Sequence, residues 1–143
     1  MYSASFELES FEVIPVACRC ALVIDLTEAL ARMNLRYLRY MAKIGRQVPP
    51  LYSTGVRYGA QKLGHDKWRD IPRLLVTGRG ACEDLAAWRA AELRMFGERA
   101  PIDVQTFEMA NGSIIYHVTI QRADGTKEDP SAALGMTHTT QVG

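Results

Sequence analysis

The chain is expected to fold as one α+β domain, because its apolar residues change period along its length. Over residues 26–41 they recur every three or four positions, as on a helix face, and over 104–121 they alternate, as on a strand. A second helical stretch, 82–96, follows a glycine-bearing loop, and Asn111-Gly112 and Asp124-Gly125 divide the later part into hairpins. Helices first and an antiparallel sheet after them make an α+β arrangement. A length of 143 residues suits a single domain over 1–143, with its core over about 20–136 and a polar tail over 137–143.

Residues 11–18 are apolar with one charge and one proline, a short strand or an irregular lead-in. The first helix follows, with Leu26, Leu30, Met33, Tyr37 and Met41 as its core stripe and Arg32, Arg36, Arg39 and Lys43 largely off it. Asp25 or Thr27 is placed to cap its start, Asn34 to interrupt it and Gly45 to stop it. Pro49-Pro50 imposes an extended connection. Residues 51–70 show no clear period and read as mostly loop, with a short extended piece near 56–58. Residues 71–76, beside Pro72, read as one or two helical turns, and 77–80 as a loop. The helix over 82–96 has its apolar side at Cys82, Leu85, Ala86, Ala90, Leu93 and Phe96, and Gly97 ends it. Strands over 104–109 and 113–121 then flank Ala110-Asn111-Gly112, and the second turn leads to Glu128-Asp129-Pro130.

Composition excludes several classes. With 17 Lys and Arg against 16 Asp and Glu, the formal charge is +1, which offers no electrostatic basis for a nucleic-acid partner. No apolar run approaches the roughly 18 residues needed to span a membrane, and the N-terminus lacks the pattern of a signal peptide. The three cysteines, Cys18, Cys20 and Cys82, read as reduced thiols in a cytoplasmic setting. Cys18-Arg19-Cys20 has no second ligand pair at zinc spacing, so neither a metal nor another cofactor is expected. His65 and His138 read as solvated, as do the arginines of the first helix.

The chemistry concentrates around Gly78-Arg79-Gly80-Ala81-Cys82-Glu83-Asp84-Leu85-Ala86. A cysteine in the first turn of a helix sits among unpaired N–H groups and at the positive end of the helix dipole, which favours the nucleophilic thiolate. The N–H of the same residue can stabilise a tetrahedral oxyanion. Glu83 and Asp84 suit a helix start, but their charges oppose the thiolate if they point inward. The competing reading is a small buried cysteine that packs a helix start.

His117 lies on the strand face with Ile115 and Thr119, opposite Ile114, Tyr116, Val118 and Ile120. Asp129 comes 12 residues later. A two-residue loop at Asp124-Gly125 would put the two on opposite faces. A three-residue loop, Ala123-Asp124-Gly125 with Gly125 left-handed, puts them on one face, diagonal to each other. In that register Asp129 can orient the imidazole that takes the thiol proton. The alternative for Asp129-Pro130-Ser131 is a turn cap.

The run Trp68-x-x-Ile71-Pro72-x-Leu74-Leu75-x-x-Gly78-x-Gly80-Ala81-Cys82-Glu83-Asp84-Leu85-Ala86 resembles the GDCED-type nucleophile motif of bacterial transglutaminase-like cysteine peptidases. Tyr116-His117-Val118, Asp124-Gly125 and Glu128-Asp129-Pro130-Ser131 resemble that superfamily's histidine strand and Asp-Pro element. Leu51-Tyr52-Ser53-x-Gly55-Val56-Arg57-Tyr58 and Leu134-Gly135-Met136 are similar to small transglutaminase-like proteins of tailed bacteriophages. The superfamily likeness covers about 52–136.

This resemblance implies a papain-related, transglutaminase-like fold with a Cys82–His117–Asp129 triad and a peptide or protein substrate. It implies hydrolysis of an amide through a thioester. Transamidation, or a non-catalytic virion or assembly role beside phage structural proteins, are the alternatives on the same fold. The setting would be the host cytoplasm or the virion. Relatives draw a second oxyanion donor from upstream of the cysteine, where Tyr58 and Trp68 stand. Ala81 replaces the aspartate frequent before the cysteine, which puts the calcium site of some relatives in doubt.

Overall fold

A computed structural model of the chain describes residues 5–9, 16–60 and 65–137. Within them the order is β1 (Ser5–Glu9), α1 (Val16–Lys43), a 3₁₀ turn (Leu51–Ser53), β2 (Arg57–Tyr58), β3 (His65–Arg69), α2 (Ile71–Thr77), β4 (Arg79–Gly80), α3 (Cys82–Met95), β5 (Ile102–Glu108), β6 (Ile114–Gln121), β7 (Lys127–Glu128) and α4 (Pro130–Ala133). The domain is α+β, with strands in both halves of the chain. β1 pairs antiparallel with β3, β2 pairs parallel with β4, and β5-β6-β7 form an antiparallel sheet. Part of the expected lead-in (10–15) and all but Thr137 of the polar tail, His138 included, lie outside the described residues.

The first helix departs from expectation at its start and in its phase. It begins at Val16, upstream of the caps read at Asp25 and Thr27, and runs unbroken through Asn34. Its buried stripe is Val23, Thr27, Leu30, Ala31, Asn34 and Met41, while Leu26, Met33 and Tyr37 are only partly buried. Two polar residues can lie on a core stripe because each has a partner. Thr27 Oγ1 accepts the Trp68 indole N–H at 3.1 Å, and Asn34 Oδ1 accepts the Ile71 N–H at 3.0 Å. Gly45 does stop the helix, at φ 77°, with the Arg46 N–H returning to the Met41 carbonyl at 2.9 Å.

Asn34 also helps start α2. That helix opens with Ile71, whose N–H goes to Asn34, then Pro72, which has none, then Arg73, whose N–H is accepted by the N-cap Asp70 at 3.1 Å. Residues 65–69, read as loop, form β3 instead. Their pairing partner is β1, about sixty residues upstream, which local periodicity does not reveal.

α3 is the axis of the molecule. One side, at Cys82, Ala86, Ala90 and Leu93, packs with Val23, Leu30 and Ala31 of α1 and with Val118 and Ile120 of β6. The other, at Leu85 and Trp88, packs with Leu51, Val56, Ile71, Leu74 and Leu134. The helix is therefore buried almost all round from Cys82 to Leu93, including Glu83 and Asp84. Ala86, Ala87, Ala90 and Ala91 allow neighbours on both sides to approach closely. Phe96, expected on the apolar side, is 91% exposed because it caps the helix beyond the core.

The β-hairpins follow their glycines. Between β5 and β6 the Met109 N–H reaches the Ser113 carbonyl at 2.7 Å across a turn with Gly112 at φ 85°. Between β6 and β7 the Arg122 N–H reaches the Thr126 carbonyl at 2.7 Å and Gly125 sits at φ 88°. The loop is thus the three residues 123–125, and Ile120 faces Glu128 with Gln121 facing Lys127.

Candidate active site

Cys82 is the first residue of α3. Its N-cap, Ala81, has no side-chain acceptor, so the helix start is organised by Asp84. Asp84 Oδ2 accepts the Ala81 N–H at 3.0 Å, and Oδ1 accepts the Arg69 N–H from β3 at 2.7 Å. Burial raises the Asp84 carboxyl above the ordinary range, and these two donors act against that rise. The loop before the cysteine needs Gly80. A Cβ there would lie 2.9 Å from Leu74 Cδ2, 3.1 Å from Leu85 Cδ2 and 3.2 Å from Asp84 Cβ. The Gly59 N–H bonds the Gly80 carbonyl at 2.9 Å, and the Tyr58 N–H bonds the Leu134 carbonyl at 3.0 Å, which fixes β2 beside the loop before Cys82.

His117 is buried on β6, 4% exposed, and its Nε2 lies 2.8 Å from Asp129 Oδ2. The three-residue hairpin loop is the register that puts them on one face. Asp129 also caps α4, its Oδ1 accepting the Ala132 N–H at 3.1 Å. Burial raises its carboxyl, but the bond from His117 and the backbone N–H donors outweigh burial and hold it below the usual range. With Nε2 engaged by Asp129, Nδ1 is the ring nitrogen left for proton exchange.

Cys82 meets the same strand one residue away. β7 ends at Glu128, and the Pro130 carbonyl turns into α4 to accept the Leu134 N–H at 3.0 Å, so the ladder stops short of the Val118 N–H. The Val118 N–H faces the sulfur and favours its anion. Two larger influences act the other way. Burial pushes the Cys82 thiol well up, and Glu83, whose Oε2 accepts from Sγ at 3.2 Å, pushes it further. Glu83 and Asp84 do point inward, so the charge conflict read at this helix start exists in the fold.

The expected donors separate. Tyr58 lies near the sulfur, Glu83 and Asp129. Burial first, and then the negative charge of those three, push its hydroxyl up to about 12, so it stays a proton donor at neutral pH. Trp68 is fully buried and gives its indole N–H to Thr27, which removes it as an oxyanion donor. Local sequence gave no signal for the Val118 N–H or for the position of Glu128, which follows from strand pairing. Among the described residues no three His, Cys, Asp or Glu side chains are grouped to hold a metal ion, and no helix is long and apolar enough to cross a membrane.

Comparison with family models, with curated proteins and with solved structures finds no match to this chain.

Proposed function

We propose that this chain is a cysteine-dependent acyl-transfer enzyme on a transglutaminase-like, papain-related fold, hydrolysing an amide or peptide bond through a thioester. One observation carries the reading. His117, buried on β6 with its Nε2 2.8 Å from Asp129, is followed on that strand by the residue that turns its N–H toward the helix-start thiol. The motif around Cys82 and the chain order Cys, His, Asp support it further.

In this mechanism Sγ of Cys82 attacks the carbonyl carbon while His117 Nδ1 takes the thiol proton. Asp129 keeps the other ring proton on Nε2 and stabilises the imidazolium that forms. The Cys82 N–H and the Tyr58 hydroxyl are the candidate donors to the tetrahedral oxyanion. His117 then protonates the departing amine, leaving a thioester on Cys82. Water, deprotonated by the same nitrogen, releases the acid. An amine in place of water would make the reaction transamidation, with the same residues in the same roles.

A second reading is a non-catalytic phage virion or assembly protein that retains the fold and works by contact. The raised thiol, held against Glu83, favours it. Alkylation of Cys82 by iodoacetamide across pH tests the choice. An enzyme should form an amide-derived product that Cys82→Ala and His117→Ala each abolish, and a preformed thiolate would add an alkylation rate above that of a free thiol near neutral pH. A rate at or below the free thiol, together with no amide product that Cys82→Ala abolishes, would sink the catalytic reading. A glutamine peptide with a labelled amine then separates the reactions: incorporation means transamidation, and a free carboxylate without incorporation means hydrolysis.

A further inference from the structure

Asp129 stands at the end of β7, a strand of two residues held to β6 through the Ile120–Glu128 and Gln121–Lys127 pairs. So short a strand has little grip of its own. Glu128 supplies one. Its Oε2 accepts from Arg89 Nε of α3 at 2.6 Å and from the Tyr52 hydroxyl, and its Oε1 accepts from Arg122 of the β6 end at 2.6 Å. Each of these donors is itself fixed. Arg89 reaches Glu92 Oε1 at 3.2 Å and stacks 5.2 Å over the Tyr52 ring. Glu92 Oε2 is held by the Leu51 N–H at 2.8 Å and the Trp88 indole at 3.0 Å. Arg122 forks onto Glu98 at 2.6 and 3.0 Å.

The placement is specific to the site. Successive strand residues face opposite ways, so Glu128 looks toward α3 while Asp129 looks toward His117. Arg89 stands seven residues after Cys82, on the same side of α3 and about 10 Å along it. One rigid, buried helix therefore carries the thiol at its start and, two turns on, the guanidinium that holds the neighbour of Asp129.

We infer that Glu128 is a positioning residue: gripped by Arg89, Arg122 and Tyr52, it sets where Asp129 meets His117 relative to Cys82. The inference rests on reading these three as one site. No hydrogen bond joins the Glu128 carboxylate to Cys82, His117 or Asp129, so its effect on them passes through the position of the β7 end.

The test compares wild type with Glu128→Gln, which keeps the shape but removes the charge, and with Tyr52→Phe, which removes one exposed donor. The primary readout is the ¹⁵N signature of His117, which reports whether the ring proton stays on Nε2, and the second is the Cys82 alkylation profile against pH. Glu128→Gln should give an averaged or broadened Nε2–H signal and, where wild-type Cys82 is activated, a roughly tenfold lower rate near neutral pH. Tyr52→Phe should shift both in the same direction by less. An unchanged His117 signature in both folded variants would overturn the inference. A changed signature in a protein that forms no amide-derived product dependent on Cys82 would uphold the clamp and refute the acyl-transfer reading alone.

Discussion

Replacing Asp129 separates its two roles, because its two oxygens serve different partners. Oδ2 faces His117 Nε2 at 2.8 Å and Oδ1 caps α4 through the Ala132 N–H at 3.1 Å. A hydrogen bond to a charged group contributes about 1.5–3 kcal/mol, but this side chain is 30% exposed, so solvent screening reduces that to about 1–2 kcal/mol. An aspartate cap contributes about 1 kcal/mol. Asp129→Ala, losing both, should cost about 2–3 kcal/mol. Asp129→Asn keeps an oxygen for the cap and should cost about 1–2 kcal/mol. The sign with pH follows from a carboxyl held below its ordinary range. Its contribution is present above the unfolded value of about 3.9 and is lost as pH falls through the lower folded value. Urea unfolding of wild type and Asp129→Asn between pH 8 and 2 measures this. The gap should be full near neutrality and close in acid. A gap that persists below pH 3, or none at pH 7, would refute the charge-assisted pairing.

Glu83→Gln should move the Cys82 alkylation profile to lower pH, because it removes a negative charge that raises the thiol; a profile that stays or moves up would contradict the Sγ–Oε2 contact. Acylation by an activated ester forms an oxyanion and alkylation does not, so Tyr58→Phe should slow the first about tenfold to a hundredfold and spare the second. Trp68→Phe should lower stability by about 1 kcal/mol through the lost bond to Thr27, read by denaturation, and spare both rates. Gly80→Ala should cost about 1–3 kcal/mol by forcing a Cβ against Leu74 and Leu85, measured as a lower melting temperature.

The parts of this fold legible in the sequence are those set by neighbours. Gly45, Gly97 and Gly125 each mark the end or turn they appear to mark, since a left-handed residue is needed there and glycine adopts it readily. Gly125 had the largest consequence, because the loop it closes decides which face Asp129 shares. What escaped local reading depends on residues far along the chain. Thr27 reads as a cap and Asn34 as an interruption until Trp68 and Ile71 supply their partners. β3 has no strand period of its own and is defined by β1. The all-round burial of α3 defeats any one-sided reading of its face, and Phe96, in phase with the apolar side, lies beyond the core.

The conflict at Cys82 bears on how the thiol would act. A helix start and the Val118 N–H favour the anion, while burial and the Glu83 carboxylate oppose it with the larger effect. The resting sulfur is therefore protonated, with its hydrogen directed at Glu83 Oε2 3.2 Å away rather than given over to His117. On the acyl-transfer reading, the proton then moves to the imidazole as the carbon–sulfur bond forms, not before. A preformed thiolate–imidazolium pair would give an alkylation rate whose plateau extends from neutrality down to the lowered ionisation of the thiol. A neutral pair gives a rate that keeps rising into alkaline solution, and amide turnover faster than that rate would imply. The two profiles differ most near pH 5, where only the preformed pair remains reactive, so a single comparison there with His117→Ala decides which state the buried carboxylates impose.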